Sequence, residues 1–397
     1  MNKIHRDFHY FGLAGIMPIM RHINSYKRII CLAVLFFSMN GNATFVNPDH
    51  YPNIRSGTLP VRDVFLFIKN SYVKKNVYGE HTYWMRYYEG NRRKDEKNGI
   101  LYTCRGGFLD VAHVRNAIDW VGYIAANVYP YLLKDIETYT HRGEEPTLYT
   151  LNFQYPDEYR QLSYEQKARV AKKLSIVVAQ QIAYHSLVWH EIVSWSGYIH
   201  ALYTEKPSGF SFEDNYSNLL GIIIGGLAAE SRYPFNEAAD YHLKYYINML
   251  EPIEKSEAIE VTESLSNKWW NPKYLLVNNK KIIKRHLDYG QFDEVVRPWQ
   301  VSGVRACNQR PSEMVELMIP KLDFIEGIDF GQFMEVVMKS NLGWQDKKIS
   351  YYFKDDPETI NNLIPTQHFP SIVEIIRHDL KIIMDDPFAD QSGIYFR

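Results

Sequence analysis

The chain lacks an excess of positive or negative charge, and this absence limits the classes of molecule that we expect the protein to bind. Its 397 residues carry 45 Lys and Arg against 46 Asp and Glu, a formal net charge of -1 at pH 7. Proteins that bind nucleic acids concentrate positive charge to neutralise phosphates, so we expect no nucleic-acid partner. Low-complexity tracts and repeats of fixed period are also absent, which excludes a solenoid and, with 46% hydrophobic residues, favours an ordinary globular protein.

Several widespread active-site motifs are missing as well. Neither Gly-x-Gly-x-x-Gly nor a Walker loop occurs, and strands do not alternate with helices, so the sequence does not predict a doubly wound nucleotide-binding sheet. No Gly-x-Ser-x-Gly motif supports a serine hydrolase. The chemistry of this chain must therefore come from other residue patterns.

The N-terminal segment has the pattern of a secretory signal peptide. Two basic residues precede an apolar run over 29–37 that is too short to anchor the chain in a bilayer. Small residues follow up to Ala43, after which we expect cleavage. We therefore predict a signal peptide over 1–43, with Met17 or Met20 as alternative starts, and a protein exported to the periplasm or secreted.

Cysteine is scarce, with three in the whole chain. Cys31 belongs to the predicted signal peptide, which leaves Cys104 and Cys307 in the mature chain. An even pair in an exported protein indicates one disulfide, and two buried thiols are the alternative. We expect 44–397 to form a single catalytic domain, and the sequence predicts no particular oligomeric state.

Apolar residues recur at helical spacing through the middle of the chain. The pattern predicts one helix over 108–133, a second over 165–203 that begins with a capping box, and a third within "SGFSFEDNYSNLLGIIIGGLAAE". Gly221 and Gly225, four apart in the third helix, would permit close contact with a neighbour. Further on, "KYLLVNNKKIIKRHL" predicts a β-hairpin. We predict a mainly α fold of the α+β class, with a helical core over about 100–250 and a minor β-hairpin component in the C-terminal third.

The stretch "CRGGFLDVAHVRNAIDW" is the first candidate for a functional site. Asp110 and His113 are three apart, which on a helix places both side chains on one face. A carboxylate with an imidazole suits a divalent cation, and the flanking Arg105 and Arg115 would bind anionic oxygens of a substrate. The alternative is structural: Asp110 would stabilise the helix N-terminus, and His113 would be a half-buried imidazole.

A second candidate lies in "WHEIVSWSGY". His190 and Glu191 resemble the start of the His-Glu-x-x-His zinc motif, but Ser194 stands where the second histidine belongs, which excludes that class of metalloprotease. His190 lies on a strip of mostly small residues, so helix packing would bury it. A metal ion or a hydrogen bond to another side chain would have to satisfy the buried pair.

The third candidate is "FSFEDNYSN" at the start of the third helix. Glu213 and Asp214 crowd the first turn, and Asn218 lies one turn further on the same face as Asp214. Carboxylates at a helix N-terminus stabilise the helix through its dipole, so these residues need no further function to explain them. An adjacent pair of acids would equally supply a metal ligand and a general base.

The three candidates belong to three consecutive helices, and helical bundles build metal sites from residues on facing helices. A metal there would activate water and polarise a phosphoryl oxygen, and a carboxylate such as Glu191 or Glu213 would take the proton. The predicted metal ligands are Asp110, His113, His190, Glu191 and Asp214. The predicted catalytic residues are Asp110, His113, Glu191 and Glu213, and the predicted substrate-binding residues are Arg105, Arg115 and Asn218.

The spacing Gly107-x-x-Asp110-x-x-His113 resembles a motif of secreted bacterial zinc metallophospholipases C. The three candidate blocks are also similar to a widespread bacterial domain of unknown function, over roughly 100–230. The resemblance implies an exported, zinc-dependent hydrolase of glycerophospholipids, although another divalent metal would suit the same residues. Its partner would be a phospholipid substrate or a membrane surface.

The sequence thus leads to one principal hypothesis and two alternatives. The principal hypothesis is a metal-dependent phospholipase C that releases diacylglycerol and a phosphorylated head group. One alternative keeps the metal site but acts on another phosphoester. The other is a periplasmic or surface binding protein without catalysis, in which the candidate residues are helix caps and buried hydrogen-bond networks.

Overall fold

The architecture comes from a computed structural model of the chain. It describes residues 72–82, 96–143, 145–197, 199–200, 203–204, 206, 208–271, 281–308, 313–353 and 357–385. The predicted signal peptide, 1–43, lies outside these residues. All described residues belong to one compact unit that spans 45–397.

Helices dominate the described part of the chain. They are α1 (Val111–Leu133), α2 (Asp157–Arg160), α3 (Tyr164–Trp195), α4 (Asp214–Glu230), α5 (Phe235–Met249), α6 (Lys255–Ser264), α7 (Asp346–Ile349) and α8 (Pro365–Asp385). The long helices α1, α3 and α4 pack on one another and enclose the largest apolar core. With the small antiparallel sheets described below, this arrangement confirms the predicted α+β class with a helical core.

Two glycines bring α4 unusually close to α1. A Cβ atom on Gly221 would lie 2.2 Å from the carbonyl oxygen of Val114, and one on Gly225 would lie 2.9 Å from the Cβ atom of Val121. Any larger side chain at these positions would push the two helices apart. The predicted close helix contact at this pair of glycines is confirmed.

The first predicted helix begins three residues later than the sequence pattern suggests. The strand β2 (Gly107–Asp110) pairs with β1 (Ile100–Thr103) as an antiparallel hairpin, and only then does α1 begin. Asp110 ends the strand in an extended conformation and caps the helix, because its Oδ1 accepts a hydrogen bond of 2.7 Å from the backbone N–H of Ala112. The prediction that 108–110 are helical is therefore wrong.

The second predicted helix ends earlier than expected. Its capping box at Ser163 and Gln166 is confirmed. The helix stops at Trp195 rather than running to 203, because Gly197 adopts a left-handed φ of 82° that no helix can continue through. The earlier end leaves a connection of fewer than twenty residues that carries the chain back to the start of α4.

The β-structure consists of short antiparallel pairs and one larger sheet. Beyond the first hairpin the strands are β3 (Thr138–Arg142), β4 (Thr147–Phe153), β5 (Ile199–His200), β6 (Tyr203–Thr204), β7 (Trp270–Asn271), β8 (Lys281–Ile282), β9 (Val295–Val296), β10 (Leu317–Met318), β11 (Phe324–Ile325), β12 (Ile328–Asp329) and β13 (Met334–Ser340). The larger sheet has the order β13-β4-β3. β7 pairs with β8, which overlaps the second apolar run of the predicted hairpin. The first apolar run of that hairpin falls in residues 272–280, which lie outside the described part.

A disulfide joins Cys104 to Cys307 across 203 residues of sequence. The predicted bridge is therefore present, and the alternative of two buried thiols is not. The disulfide connects the turn between β1 and β2 to the C-terminal third of the chain. Asp110 is the last residue of the strand that follows this turn. Among the described residues, none of the helices combines the length and the apolar character required to cross a bilayer.

Candidate functional site

The three candidate blocks meet where the first turns of α1 and α4 approach the last turns of α3. Asp110 lies there as the last residue of the β1–β2 hairpin. Its backbone N–H donates a hydrogen bond of 3.0 Å to the hydroxyl of Ser217 on α4. The hairpin, α1 and α4 are thereby fixed to one another at the candidate site. We call the following side chains the acidic cluster: Asp110, His113, Glu145, His190, Glu191, Glu213 and Asp214.

The first histidine of the acidic cluster forms an ion pair with α4. Nδ1 of His113 lies 2.8 Å from Oδ1 of Asp214, and about a fifth of the histidine side chain remains exposed. Burial opposes the protonation of His113, but the carboxylates of Asp214 and Asp110 outweigh it and raise its pKa to about 10. Because Nδ1 faces Asp214, Nε2 is the ring nitrogen that points away from this carboxylate.

The second histidine is paired in the same way with a residue outside the three blocks. Nδ1 of His190 lies 2.5 Å from Oε1 of Glu145, a carboxylate that is 1% exposed. Glu145 precedes β4, so the larger sheet supplies this partner across 45 residues of sequence. Metal-binding histidines are oriented by carboxylates through the nitrogen that does not bind the metal, and both pairs have this form.

Burial raises the pKa values of two further carboxylates of the acidic cluster. Burial and the carboxylate of Asp214 raise the pKa of Glu191 to about 8, and the same two causes together with Asp110 raise the pKa of Glu213 to about 8. Oε2 of Glu191 accepts a hydrogen bond of 2.5 Å from the backbone N–H of Phe210. Oε2 of Glu213 is buried without a hydrogen-bond partner.

Asp214 differs from its neighbours because its charge is satisfied. Oδ1 faces His113, and Oδ2 accepts a hydrogen bond of 3.2 Å from the backbone N–H of Ser211. Burial acts in the opposite direction, but these contacts hold the pKa of Asp214 below its usual value. Asp214 is thus the ionised centre of the acidic cluster, whereas Glu191 and Glu213 favour the protonated form.

The acidic cluster brings five carboxylates and two imidazoles into mutual electrostatic range. The two histidines offset part of the negative charge, and proton uptake by Glu191 and Glu213 removes more of it. A divalent cation would achieve the same compensation while leaving the carboxylates ionised. Imidazole nitrogen and carboxylate oxygen are the donors that zinc takes in hydrolases, so the residues present fit such an ion. Within the described ranges, no three of these side chains are already arranged around a common metal position.

The structure does not bring the predicted substrate-binding arginines into the acidic cluster. The side chain of Arg115 is fully buried and donates a hydrogen bond of 2.7 Å to the carbonyl of Tyr78. Residues two apart on a helix point about 200° apart, so a helix that turns His113 toward the site turns Arg115 into the core. The structure thus places the Arg115 side chain outside the acidic cluster, and a role in substrate binding stays a prediction.

The other two predicted substrate-binding residues are Arg105, which contacts the backbone, and Asn218, which is buried. The guanidinium of Arg105 donates hydrogen bonds of 3.0 and 3.3 Å to the carbonyls of Glu313 and Met249, so it holds the C-terminal third against the first hairpin. The predicted contact of Arg105 with a substrate anion stays a prediction. Asn218 is 3% exposed and lies one turn after Asp214 on α4, within reach of the acidic cluster but withdrawn from solvent.

Sequence reasoning missed two residues at the site. Glu145 carries no local pattern that links it to His190, and only the fold of the sheet places them together. His286 is 1% exposed, and burial lowers its pKa to about 4 against the opposing effect of the Asp214 carboxylate. The sequence signal that could have identified His286 is its place near the end of "KYLLVNNKKIIKRHL", the segment that predicts the hairpin.

Comparison with known proteins places the chain in a family. Residues 53–297 match the model of a family described as "Protein of unknown function (DUF4056)", and because this match covers more than half of the chain, the protein belongs to that family. The matched range contains every residue of the acidic cluster. No curated protein and no solved structure matches the chain. Membership in a zinc metallophospholipase C family stays a prediction.

Proposed function

We propose that the acidic cluster is the metal centre of an exported hydrolase that cleaves phosphodiesters. The observation that carries this proposal is the pairing of two histidines with buried carboxylates, His113 with Asp214 and His190 with Glu145. Both pairs lie beside two carboxylates that burial has driven toward protonation. Groups that perturb one another so strongly are typical of functional sites rather than of helix caps.

We assign different roles to the members of the acidic cluster on the basis of their contacts. The metal ligands would be His113 and His190 through Nε2, together with the carboxylates of Asp110 and Glu191. Both oxygens of Asp214 already accept contacts from the protein, so we assign Asp214 to the orientation of His113 rather than to the metal. Glu145 takes the equivalent position behind His190.

Zinc, or another divalent metal bound there, would supply a positive charge that polarises a phosphoryl oxygen and acidifies water. The proton acceptor that we assign is Glu213, because its Oε2 is held by no protein group and its pKa in the metal-free chain is about 8. A group with a pKa near the working pH transfers protons efficiently in both directions. Water would add to phosphorus through its oxygen, and Glu213 would take the proton from it.

The substrate class that we propose is a glycerophospholipid. What supports this class is the resemblance of the spacing Gly107-x-x-Asp110-x-x-His113 to a motif of zinc metallophospholipases C, since Asp110 and His113 both belong to the acidic cluster. In this reaction the bond between phosphorus and the glycerol oxygen breaks. That oxygen receives the proton from Glu213, which gives diacylglycerol and a phosphorylated head group with one water consumed.

The experiment uses protein exported by its expression host and purified without a chelator. Bound metal is quantified by mass spectrometry, and release of phosphorylated head groups from mixed phospholipid vesicles is followed with and without EDTA. His113→Gln removes a proposed ligand, and His242→Gln on α5 is the matched control because His242 lies outside the acidic cluster. We expect bound zinc and chelator-sensitive release in the wild type and in His242→Gln, and loss of both in His113→Gln.

Two outcomes would contradict this account in different ways. If the protein binds metal and cleaves another phosphodiester but no phospholipid, the proposed substrate is wrong and the proposed metal centre stands. A folded protein that binds no metal and hydrolyses no phosphoester would overturn the proposal. The acidic cluster would then be a buried ionic network in a binding protein.

A further inference from the structure

A second group of side chains lies next to the acidic cluster and involves a cation held between two aromatic rings. Nζ of Lys284 lies 4.7 Å from the ring centroid of Trp269 and 4.6 Å from that of Trp299. The two indoles are 5.7 Å apart and inclined at 74°, so they form two walls of a corner. We call Trp269 and Trp299 the tryptophan pair.

The tryptophan pair is held in place from behind. The indole of Trp269 packs at 5.2 Å against the ring of Phe212 and at 6.4 Å against that of Phe108. The backbone of Trp299 presses on β2, because a Cβ atom on Gly107 would lie 2.2 Å from the carbonyl oxygen of Trp299. The geometry of the corner is therefore set by the packed structure around it and does not depend on Lys284.

The same contacts place the tryptophan pair beside the acidic cluster. Phe212 directly precedes Glu213, and Phe108 lies two residues before Asp110 on the same strand, where alternate side chains share a face. The ring of His286 packs at 4.8 Å on the indole of Trp299. Asp214 acts electrostatically on that imidazole, so His286 neighbours both the corner and the acidic cluster.

The backbone of Lys284 is fixed to the corner, because its N–H donates a hydrogen bond of 3.1 Å to the carbonyl of Trp269, but its side chain is not enclosed there. Its side chain is exposed, whereas both tryptophans are half-buried. An exposed lysine gains little free energy from an aromatic face, so a competing cation can take its place. Elsewhere in the described chain Lys348 lies over the single ring of Trp344 at 5.3 Å, a one-walled contact of the ordinary surface kind.

We propose that the tryptophan pair is a binding site for the alkylammonium group of a ligand, and that Lys284 occupies it in the free protein. Aromatic corners recognise quaternary ammonium groups because the ring faces attract a cation and tolerate its methyl groups, which a hydrated surface does not. The ligand displaces Lys284 into solvent. One consequence rests on the proposed function: a substrate with its phosphodiester at the acidic cluster would be zwitterionic, carrying its ammonium group to the tryptophan pair.

The test is binding of tetramethylammonium chloride to the exported protein, followed by tryptophan fluorescence and by calorimetry against an equal concentration of sodium chloride. We expect affinity on the order of millimolar in the wild type. Lys284→Ala removes the competing cation and should tighten binding roughly five- to tenfold, while Trp299→Phe should weaken it by a similar factor because indole is the stronger cation-binding ring. Trp269→Phe tests the other wall, and thermal melting verifies that each variant is folded.

Lys348→Ala and Trp344→Phe are the matched controls, since they alter a cation–aromatic contact outside the corner. The proposal requires that neither changes the affinity. Absence of tetramethylammonium binding in both the wild type and Lys284→Ala would overturn it. So would equal affinity in Lys284→Ala, Trp299→Phe and the wild type, which would mark a non-specific effect of the salt.

Failure of this site and failure of the proposed hydrolase can be told apart. Tetramethylammonium binding needs neither metal nor turnover, so saturable, Lys284-sensitive binding in a protein without hydrolytic activity supports the site and contradicts the hydrolase. The reverse result is hydrolysis of zwitterionic and anionic phospholipids at equal rates with no tetramethylammonium binding. That result supports the hydrolase and eliminates the alkylammonium site, with Lys284 then available to receive an anionic group.

Discussion

Replacing Glu191 by glutamine should stabilise the metal-free protein at alkaline pH. The pKa of Glu191 rises from about 4.5 to about 8 on folding, mainly because burial disfavours the charged form. The folded state therefore holds a proton that the unfolded state has lost, and stability falls as the pH rises through this window. Glutamine resembles the protonated carboxyl and retains an oxygen for the N–H of Phe210.

The size of the effect follows from the pKa values. A difference of about 3.5 pH units at about 1.4 kcal/mol per unit sets an upper limit of about 5 kcal/mol for one group. Between about pH 5 and about pH 8 the wild type should lose about 3 kcal/mol through Glu191 alone. Glu213 and His113, whose pKa values are raised to about 8 and about 10, lose stability in the same direction, whereas the lowered pKa of His286 acts in the opposite direction. The slope therefore changes in Glu191→Gln but does not vanish. The lowered pKa of Asp214 matters only at more acidic pH.

The assay is urea unfolding of chelator-treated, dialysed protein at both pH values, monitored by circular dichroism. Glu237→Gln is the control, because Glu237 is an exposed carboxylate on α5. We expect Glu191→Gln to be more stable than the wild type at the higher pH and nearly equal to it at the lower one. A variant whose stability differs from that of the wild type by the same amount at both pH values would refute the electrostatic account of the acidic cluster.

Three further predictions concern packing, cross-linking and orientation. Gly221→Ala should lower the free energy of unfolding by about 3 kcal/mol or more in thermal or urea melts, because the added Cβ meets the backbone of α1. Cys104→Ser should cost about 5 kcal/mol in non-reducing urea titrations, since the disulfide closes a loop of 203 residues, and a reductant should add nothing further in that variant. Glu145→Gln should leave the fold intact but weaken zinc binding roughly 10- to 100-fold in calorimetric titrations, and unchanged affinity would exclude its role in orienting His190.

Local sequence patterns predicted the helical core well because the helices are long and regular. The glycine pair in α4 identified the closest helix contact, and the capping box located the start of α3. The ends were less predictable. Asp110 belongs at once to a strand and to a helix cap, and the helical spacing of the following apolar residues hides the strand. Gly197 ends α3 through a backbone conformation that apolar periodicity does not reveal.

The candidate site was predictable as far as each helix contributes its own residues. Asp110 and His113, His190, and Glu213 come from three separate blocks whose chemistry is visible in the sequence, and the fold brings them together. Glu145 was not predictable, because its contact to His190 depends on how the sheet packs against α3. Arg115 shows a limit of such patterns, since nearness in sequence to His113 does not place a side chain on the same face of a helix.

The central claim is that the acidic cluster binds a divalent metal ion, and a calorimetric titration of chelator-stripped protein with zinc tests it most directly. Wild type and His242→Gln should bind zinc saturably and release protons as they do so, because Glu191 and Glu213 are protonated in the metal-free state near neutral pH. His190→Gln should lose this binding while keeping the wild-type circular dichroism. A folded wild type that takes up no zinc or other divalent ion, or a His190→Gln variant that binds as tightly as the wild type, would contradict the account.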